Sequence, residues 1–507
     1  MNEGLLPFGP GAWVFIALYL CSLLLVGWMG YRARREDSMK DFYLAGGGFG
    51  FLVLVLTLYA TQYSGNTLFG FTGKTYRVGY AWTMSVHFMT AVIVFYLLLA
   101  PKLQARARIR GFITPADYLH DRFAYAPLSV LASVVMIVAL ANYLFAQLMA
   151  MGRAVEGLSA STDVDVYLWA VIALALIMVV YETLGGLRAV AWTDVLQGVV
   201  LMLGFVILTV MVFVYFGGPE TSALKIIEKG EGEKLKPPGW AMLRQWFSFI
   251  FMIGIGAALY PQAIQRLYAA RSPAVLRRSL QVMAFLPLTA TLVAVFIGIT
   301  ALANFPEPGV PVFEGEEADR VLAVVFRSIQ EQSVVGYWLV VVLFAAVLAA
   351  LMSTADSALL SISSMFSGDL YRRARPEASE KSLTKIGKVS SWVLIVILVF
   401  LAIDLRDVDL VTVLTRKFDL LVQVAPAFFL GLHWKGLRAR PVFAGLVAGL
   451  VIAMFLAFGE TMGIHPALDG TLWGIHAGLY GLLANLVIAV GGSLLASRGQ
   501  SSVADPG

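Results

Sequence analysis

Two stretches of the sequence place hydroxyl-bearing and small residues inside otherwise apolar segments, and both could present oxygen atoms to an alkali cation. The first follows an apolar run and consists of Thr61, Gln62, Tyr63, Ser64, Gly65, Asn66 and Thr67. A glycine among such residues lets the backbone leave the helical ladder, which a bilayer tolerates only where the freed groups line a cavity or bind an ion. The alternative is a tight helix crossing held together by small polar residues.

The second stretch shows a stripe of small and hydroxyl-bearing residues at helical spacing. Its members are Ala350, Ser353, Thr354, Ser357, Ser361 and Ser364, which share one face at 3.6 residues per turn. Hydroxyl and carbonyl oxygens are hard, neutral ligands that suit an alkali cation and do not suit zinc or copper. Serines that bond back to the preceding turn are the alternative, although this does not account for Asp356 in the same patch.

Composition shows what kind of elements must position these groups. The chain has 507 residues, of which 59% are hydrophobic and 14% charged, and its mean hydropathy is +0.80. These values exclude a soluble globular protein and a disordered chain and predict a lipid bilayer as the surroundings. The net charge of +5 is spread in short clusters between apolar runs, so we expect no nucleic-acid partner. Cys21 is the lone cysteine, which excludes an intramolecular disulfide and a thiolate metal site.

Apolar runs long enough to cross a bilayer number about thirteen. They cover residues 12–31, 50–73, 80–100, 128–151, 166–183, 192–216, 244–265, 280–303, 335–365, 387–404, 411–434, 441–458 and 473–496. The sequence therefore predicts an all-α, multi-pass membrane protein with both polar stretches inside spans.

Basic residues recur after every second predicted crossing. The first clusters are Arg32, Arg34 and Arg35, then Arg106, Arg108 and Arg110, then Arg266, Arg271, Arg277 and Arg278. The positive-inside rule then predicts an N-terminus outside the cell and a C-terminus in the cytosol. We expect location in the cell inner (cytoplasmic) membrane, with no cleavable signal peptide because no basic segment precedes the first apolar run.

Several short motifs, in a fixed order, resemble those of the sodium:solute symporter family, which includes carriers of glucose, proline, pantothenate and sialic acid. The motifs are Asp41-Phe42-Tyr43-Leu44-Ala45-Gly46, Tyr63-Ser64-Gly65, Tyr76-Arg77-Val78-Gly79, Gly185-Gly186-Leu187-Arg188-Ala189-Val190 with Trp192-Thr193-Asp194, Ala349-Ala350-Leu351-Met352-Ser353-Thr354, and Ala425-Pro426 with Trp434-Lys435. The resemblance implies a leucine-transporter-like core of two inverted five-helix repeats. It would place a leading helix and cytosolic loop in 1–48, the repeats in 49–216 and 217–434, and two trailing helices with a short tail in 435–507.

The resemblance also implies ion ligands. A sodium ion would bind the backbone carbonyls of Ala60, Tyr63 and Ala350 and the hydroxyls of Ser353 and Thr354. A possible second sodium would use Asp194, Asp356 and Ser357 together with Ser353, although Asp356 departs from the serine of the sialic acid carriers. Asp194 also has an ordinary explanation, because an acid in the first turn of a helix interacts favourably with the helix dipole.

The solute pocket is expected near the bilayer midplane, between the repeats. Candidate side chains are Gln62, Asn66, Thr67, His87, Trp246, Phe247 and Tyr260. Ile253 and Ala257 stand where the proline carriers have Trp and Tyr, which counts against proline; monocarboxylates, amino acids, vitamins and sugars all stay open. Arg416, Lys417 and Asp419 could attract a carboxylate, but their position in the eleventh span favours side chains that extend to the outer interface.

The expected function is therefore import of a small organic solute by a sodium-coupled symporter that works by alternating access. A proton-coupled symporter of the same fold and a non-transporting sensory module are the alternatives; the short tail after residue 495 counts against the second. No HExxH, GxSxG or Walker pattern is present, so we expect neither an enzyme nor a cofactor other than the coupling sodium.

Overall fold

The computed structural model is almost entirely helical. It describes residues 6–156, 165–305, 321–406, 410–465 and 469–501, without the side chains of 65–66, 410–415 and 498–501. The helices are α1 Pro10–Arg32, α2 Met39–Leu44, α3 Phe51–Gln62, α4 Gly65–Val78, α5 Met84–Arg110, α6 Pro115–Phe123, α7 Ala126–Glu156, α8 Val166–Phe216, α9 Pro219–Glu228, α10 Trp240–Ala258, α11 Pro261–Ala269, α12 Pro273–Met283, α13 Pro287–Asn304, α14 Val321–Gln332, α15 Val334–Met365, α16 Arg372–Ala374, α17 Glu380–Asp404, α18 Leu410–Leu421, α19 Gly431–His433, α20 Ala439–Phe458 and α21 Ala477–Ser501. A two-stranded antiparallel hairpin, β1 Thr471–Leu472 and β2 Ile475–His476, precedes the last helix.

Ten helical segments of the described chain are long and apolar enough to cross a bilayer, when helices that continue through a short turn are counted as one. The predicted spans 50–73 and 244–265 are each broken into two shorter helices, α3 with α4 and α10 with α11. The predicted spans 166–183 and 192–216 are parts of the single helical segment α8. The boundary predicted at 473 is wrong, because 471–476 form the hairpin and the helix begins at Ala477.

Gly186 divides α8 into its two predicted crossings. Its φ of 60° and ψ of −150° are non-helical, and a first side-chain carbon there would come within 2.3 Å of the Phe42 carbonyl. Only glycine combines such a backbone with so close an approach. Two residues later Arg188 donates to both oxygens of Asp41, at 2.7 and 3.3 Å, so the ion pair fixes α2 against the middle of α8.

Helix α15 lies at the centre of the molecule. Every side chain from Leu343 to Met365 is buried, and the helix packs against α7, α8, α3 and α11. A helix that is buried on all sides in a membrane protein contacts protein rather than lipid. Its polar residues must therefore find partners on the neighbouring helices, and these partners define the site.

Candidate functional site

The break between α3 and α4 exposes backbone oxygens inside the protein. Helix α3 ends at Gln62, Tyr63 and Ser64 adopt extended backbone, and α4 starts at Gly65. The last carbonyls of a helix have no partner within it, so those of the final turn of α3 can accept hydrogen bonds from other groups. Ala60 and Tyr63 are both buried, which makes these oxygens available only to protein groups or to a bound ligand.

Helix α15 meets this break at the predicted hydroxyls. Ser353 Oγ donates to the Ala60 carbonyl at 3.0 Å and lies 3.3 Å from the Ala350 carbonyl, and Thr354 Oγ1 lies 3.0 Å from the same Ala350 oxygen. The structure thus brings Ala60 together with Ala350, Ser353 and Thr354, which follow it in the sequence by 290 positions or more. Tyr63 lies at the break itself, three residues after Ala60.

Tyr143 of α7 closes one side of this group. Its side chain lies close to the hydroxyls of Ser64 and Thr354, and α7 packs along α15. All three side chains are buried. The arrangement is a set of neutral oxygens at a broken helix, the kind of donor set that binds a monovalent hard cation.

The residues predicted for a second sodium surround a guanidinium group. Arg266 Nη2 donates to Asp194 Oδ2 at 2.7 Å and to Ser357 Oγ at 2.5 Å. Arg266 Nε donates to Thr57 Oγ1 at 2.6 Å, and Thr57 in turn donates to Asp194. The exposed fractions of the Arg266 and Asp194 side chains are 1% and 0%, so this is an ion pair in the protein interior.

Asp356 lies beside this pair without joining it. Tyr181 donates to Asp356 Oδ2 at 2.5 Å, and Ser357 Oγ lies 3.1 Å from Oδ1. Within the part of the chain that the structure describes, no cationic side chain comes within 4.0 Å of this carboxyl group. Ser357 also donates to the Ser353 carbonyl at 2.6 Å and so connects the two predicted cation positions.

Two of the predicted pocket residues, Gln62 and Tyr260, lie between the two broken helices. Gln62 donates to the Tyr96 hydroxyl at 2.5 Å, and Tyr96 donates to the Ala257 carbonyl at 3.1 Å, at the end of α10. Tyr260 occupies the break before α11 and stacks on Tyr143, with ring centroids 5.6 Å apart and planes inclined by 11°. Polar and aromatic groups therefore meet where the two breaks face each other.

The other predicted pocket residues are more scattered. Thr67 is buried in the first turn of α4, and the side chain of Asn66 lies outside the described residues. His87 is exposed and packs against Trp246 at 5.1 Å, while Phe247 is 61% exposed. The structure does not bring His87 and Phe247 to Gln62 and Tyr260, because they occupy the outward faces of α5 and α10.

Lys417 of α18 was predicted to extend to the outer interface, and the structure buries it instead. Its side chain is 4% exposed, and Nζ lies 3.1 Å from the ring centroid of Tyr143 and 5.4 Å from that of Tyr260. The prediction assumed a continuous helix to Trp434, about 27 Å long. The backbone does stay helical from residue 410 to 433, through a 3₁₀ turn at Val422–Val424 and a π turn at Pro426–Leu430. The lysine is buried because α18 packs against α7 and α10, and counting residues along one helix does not show that packing.

Comparison with known proteins agrees with the motifs. The model of the sodium:solute symporter family matches residues 42–449. Sodium/proline symporter 2 of Staphylococcus saprophyticus is 25% identical over 490 residues, covering 94% of this chain and 91% of that protein. The sodium/proline symporter of Staphylococcus aureus is 25% identical over 478 residues, covering 90% of each chain.

Solved structures share the fold. A Na⁺-coupled sialic acid symporter in a substrate-bound, outward-open state superposes with a TM-score of 0.81 at 18% identity, covering 96% of this chain and 98% of that one. MHP1, a nucleobase-cation-symport-1 family transporter, gives 0.52 at 14% identity, covering 88% and 93%. These likenesses establish the leucine-transporter-like architecture that the motifs implied. With a family match across most of its length and this fold, the chain belongs to the sodium:solute symporter family and is a multi-pass, sodium-coupled symporter rather than an enzyme.

Proposed function

We propose that the coupling sodium binds between the α3 break and α15. Its ligands are the carbonyls of Ala60, Tyr63 and Ala350 and the hydroxyls of Ser353 and Thr354. The observation that carries this proposal is the 3.0 Å hydrogen bond from Ser353 to the Ala60 carbonyl. Two oxygens at that separation can both turn their lone pairs toward one ion once the serine proton points elsewhere.

Sodium at this place holds the broken helix to the central helix. An ion bound to both α3 and α15 stabilises one arrangement of the two repeats. When the ion dissociates into the low-sodium cytosol, that arrangement is no longer stabilised. One sodium ion moving down about 100 mV supplies about 2.3 kcal/mol, and a tenfold concentration gradient adds about 1.4 kcal/mol. This is enough to accumulate a neutral solute several hundredfold.

Replacement of the two hydroxyls tests the site. In purified protein, Ser353→Ala and Thr354→Ala should each weaken ²²Na⁺ binding by about tenfold or more, because a lost ion ligand costs at least about 1.4 kcal/mol. Ser363→Ala is the matched control, since Ser363 is equally buried on α15 but bonds to Leu360 and Tyr43. Unchanged sodium affinity in both site variants would contradict the assignment.

We further propose that the second cation position is filled by the protein itself. The Arg266 guanidinium contacts Asp194, Ser357 and Thr57, and two of these were predicted ligands of a second sodium. A guanidinium carries the same charge as sodium and cannot dissociate from the chain. The transporter would therefore couple solute uptake to one sodium ion, bound at the neutral-oxygen site.

The proposed orientation places the N-terminus outside and the C-terminus in the cytosol of a cell with an inner membrane. Its support is the alternation of basic loops. Arg106, Arg108 and Arg110 end α5, and Arg372 and Arg373 follow α15. A reporter enzyme active only in the cytosol, fused after α21, should be active, and the same reporter fused before α1 should be inactive.

A further inference from the structure

Lys417 is a buried cation without a buried anion beside it. Three aromatic rings surround its ammonium group: Nζ lies 3.1 Å from the ring centroid of Tyr143, 4.9 Å from that of Phe418 and 5.4 Å from that of Tyr260. Among the described residues no carboxylate oxygen lies within 4.0 Å of Nζ. Aromatic faces attract a cation, but they do not replace the hydration that an ammonium group loses on burial.

Asp419, the nearest acidic residue on the same helix, interacts with groups other than Lys417. Asp419 Oδ1 accepts a hydrogen bond from the Gly478 backbone N–H at 2.7 Å, and Arg416 lies 3.7 Å from Asp419 Oδ2. Arg416 itself donates to the Asp469 carbonyl at 2.5 Å. Of the three charged residues predicted to lie together in this span, only Lys417 thus faces the interior without an anion.

The position of Lys417 connects it to the transport machinery. Tyr143 lies close to Thr354 of the proposed sodium site and to Ser64 beside it. It also stacks on Tyr260, which marks the break between α10 and α11. The N-termini of α4 and α11 lie at the two breaks, and helix N-termini favour a negative charge. A lysine and two helix N-termini therefore converge near the place where the ion is proposed to bind.

We propose that Lys417 binds the carboxylate of the transported solute, so that the substrates are small organic carboxylates. The proposal rests on the sodium-coupled transport proposed above. A carboxylate on Lys417 would remove the unpaired charge from the interior, and the rings of Tyr143, Tyr260 and Phe418 would turn aside to contact its apolar body. A monocarboxylate carried with one sodium ion moves no net charge, so the concentration gradient alone drives uptake, to about tenfold accumulation for a tenfold sodium gradient.

The test compares carboxylates with matched amides. Thermal unfolding of the purified protein is measured in NaCl and in choline chloride with acetate, propionate, lactate, pyruvate, benzoate, pantothenate and proline, with propionamide, lactamide and prolinamide, and with glucose. We expect at least one carboxylate to raise Tm in NaCl and its amide to need about thirtyfold more concentration, as loss of a buried charge pair requires. Lys417→Gln should abolish the shift, and Lys435→Gln, at an exposed position, should retain it.

Sodium binding measured without solute tests the role of Lys417 even if the panel lacks the transported compound. In Lys417→Gln the unpaired positive charge near the ion site is absent, so ²²Na⁺ should bind several-fold more tightly than in the unaltered protein. Stabilisation by glucose or amides alone, by no carboxylate, or by a carboxylate acting equally on Lys417→Gln would overturn the proposal, as would unaltered sodium affinity in that variant. Failure of the proposed sodium coupling gives a different result from failure of the carboxylate proposal, because the unaltered protein would then bind no sodium.

Discussion

The two proposed cation positions on α15 lie one helical turn apart and are built in opposite ways. Around Ser353 and Thr354 every group in contact is neutral, and oxygens come from hydroxyls and backbone carbonyls. Around Ser357 the groups are charged, and Arg266 pairs with Asp194. A neutral site holds an ion only as strongly as its oxygens replace water, so the ion can leave; a carboxylate in the same interior holds its partner much more tightly.

In the proposed assignment, this difference separates a position that exchanges its ion from one that does not. Coupling requires release on the cytosolic side in every cycle, which suits neutral ligands. A tethered guanidinium supplies the structural effect of a cation, joining α8, α11, α15 and α3 through Asp194, Ser357 and Thr57, without any exchange. Asp356 adds a carboxyl group on the other side of Ser357, where Tyr181 donates to it.

Removal of the guanidinium should have the largest effect. Arg266→Ala leaves Asp194 buried without its partner, which should lower the free energy of unfolding by about 3–5 kcal/mol in choline chloride. Sodium should restore part of this loss by entering the vacated position, so the Tm difference between NaCl and choline chloride should exceed that of the unaltered protein.

Three companion variants sharpen this comparison. Arg266→Lys keeps a cation and should keep the unaltered sodium response, and the double variant Arg266→Ala with Asp194→Ala should lose the additional response because it removes both charges. Arg271→Ala is the control at an exposed arginine. An Arg266→Ala protein as stable as the unaltered one in choline chloride would show that the ion pair has no such role.

A smaller effect is expected at Thr57, which accepts from Arg266 and donates to Asp194. Thr57→Val preserves the shape but removes both hydrogen bonds, which should cost about 1–2 kcal/mol of unfolding free energy. Sodium affinity should change little, because Thr57 contacts the tethered cation and not the neutral-oxygen site. A tenfold weaker sodium affinity would mean that the two positions are not separate.

The smallest effect is expected further along the serine stripe. Ser361 donates to Gln265 Oε1 at 2.5 Å, and Gln265 donates to Ser364 at 2.6 Å. These contacts hold α11 to α15 and lie outside both cation positions. Ser361→Ala should change the unfolding free energy by about 1 kcal/mol and leave ²²Na⁺ binding unaltered; altered sodium binding would extend the ion site along the stripe.

The sequence predicted the ingredients of the first position because each carries a local signal. A glycine within a polar run indicated the helix break at Tyr63 and Ser64, and the helical spacing of Ser353 and Thr354 indicated the facing stripe. The family motifs then related the two segments, although the separation of about 290 residues hides their contact from any local pattern.

Arg266 and Lys417 show why the sequence analysis misplaced the buried cationic side chains. Arg266 belongs to a cluster that the positive-inside rule assigned to the cytosolic loop, yet the break at Tyr260 and Pro261 starts a new helix that carries it into the interior. Proline at the first position of a helix is a signal for such a start. Lys417 was placed by counting residues along its own helix, which gives a distance to the interface but does not show that α7 and α10 pack against α18. The Arg266 misplacement comes from treating a broken span as continuous, and the Lys417 misplacement comes from helix packing that no local sequence pattern shows.

The number of sodium ions bound per protein molecule tests the central claim most directly. Equilibrium binding of ²²Na⁺ to the purified protein at saturating concentration, with Ser353→Ala as the site control, counts the exchangeable positions without knowledge of the solute. A tethered guanidinium beside a neutral-oxygen site predicts one ion per chain; two ions, or none, would contradict it.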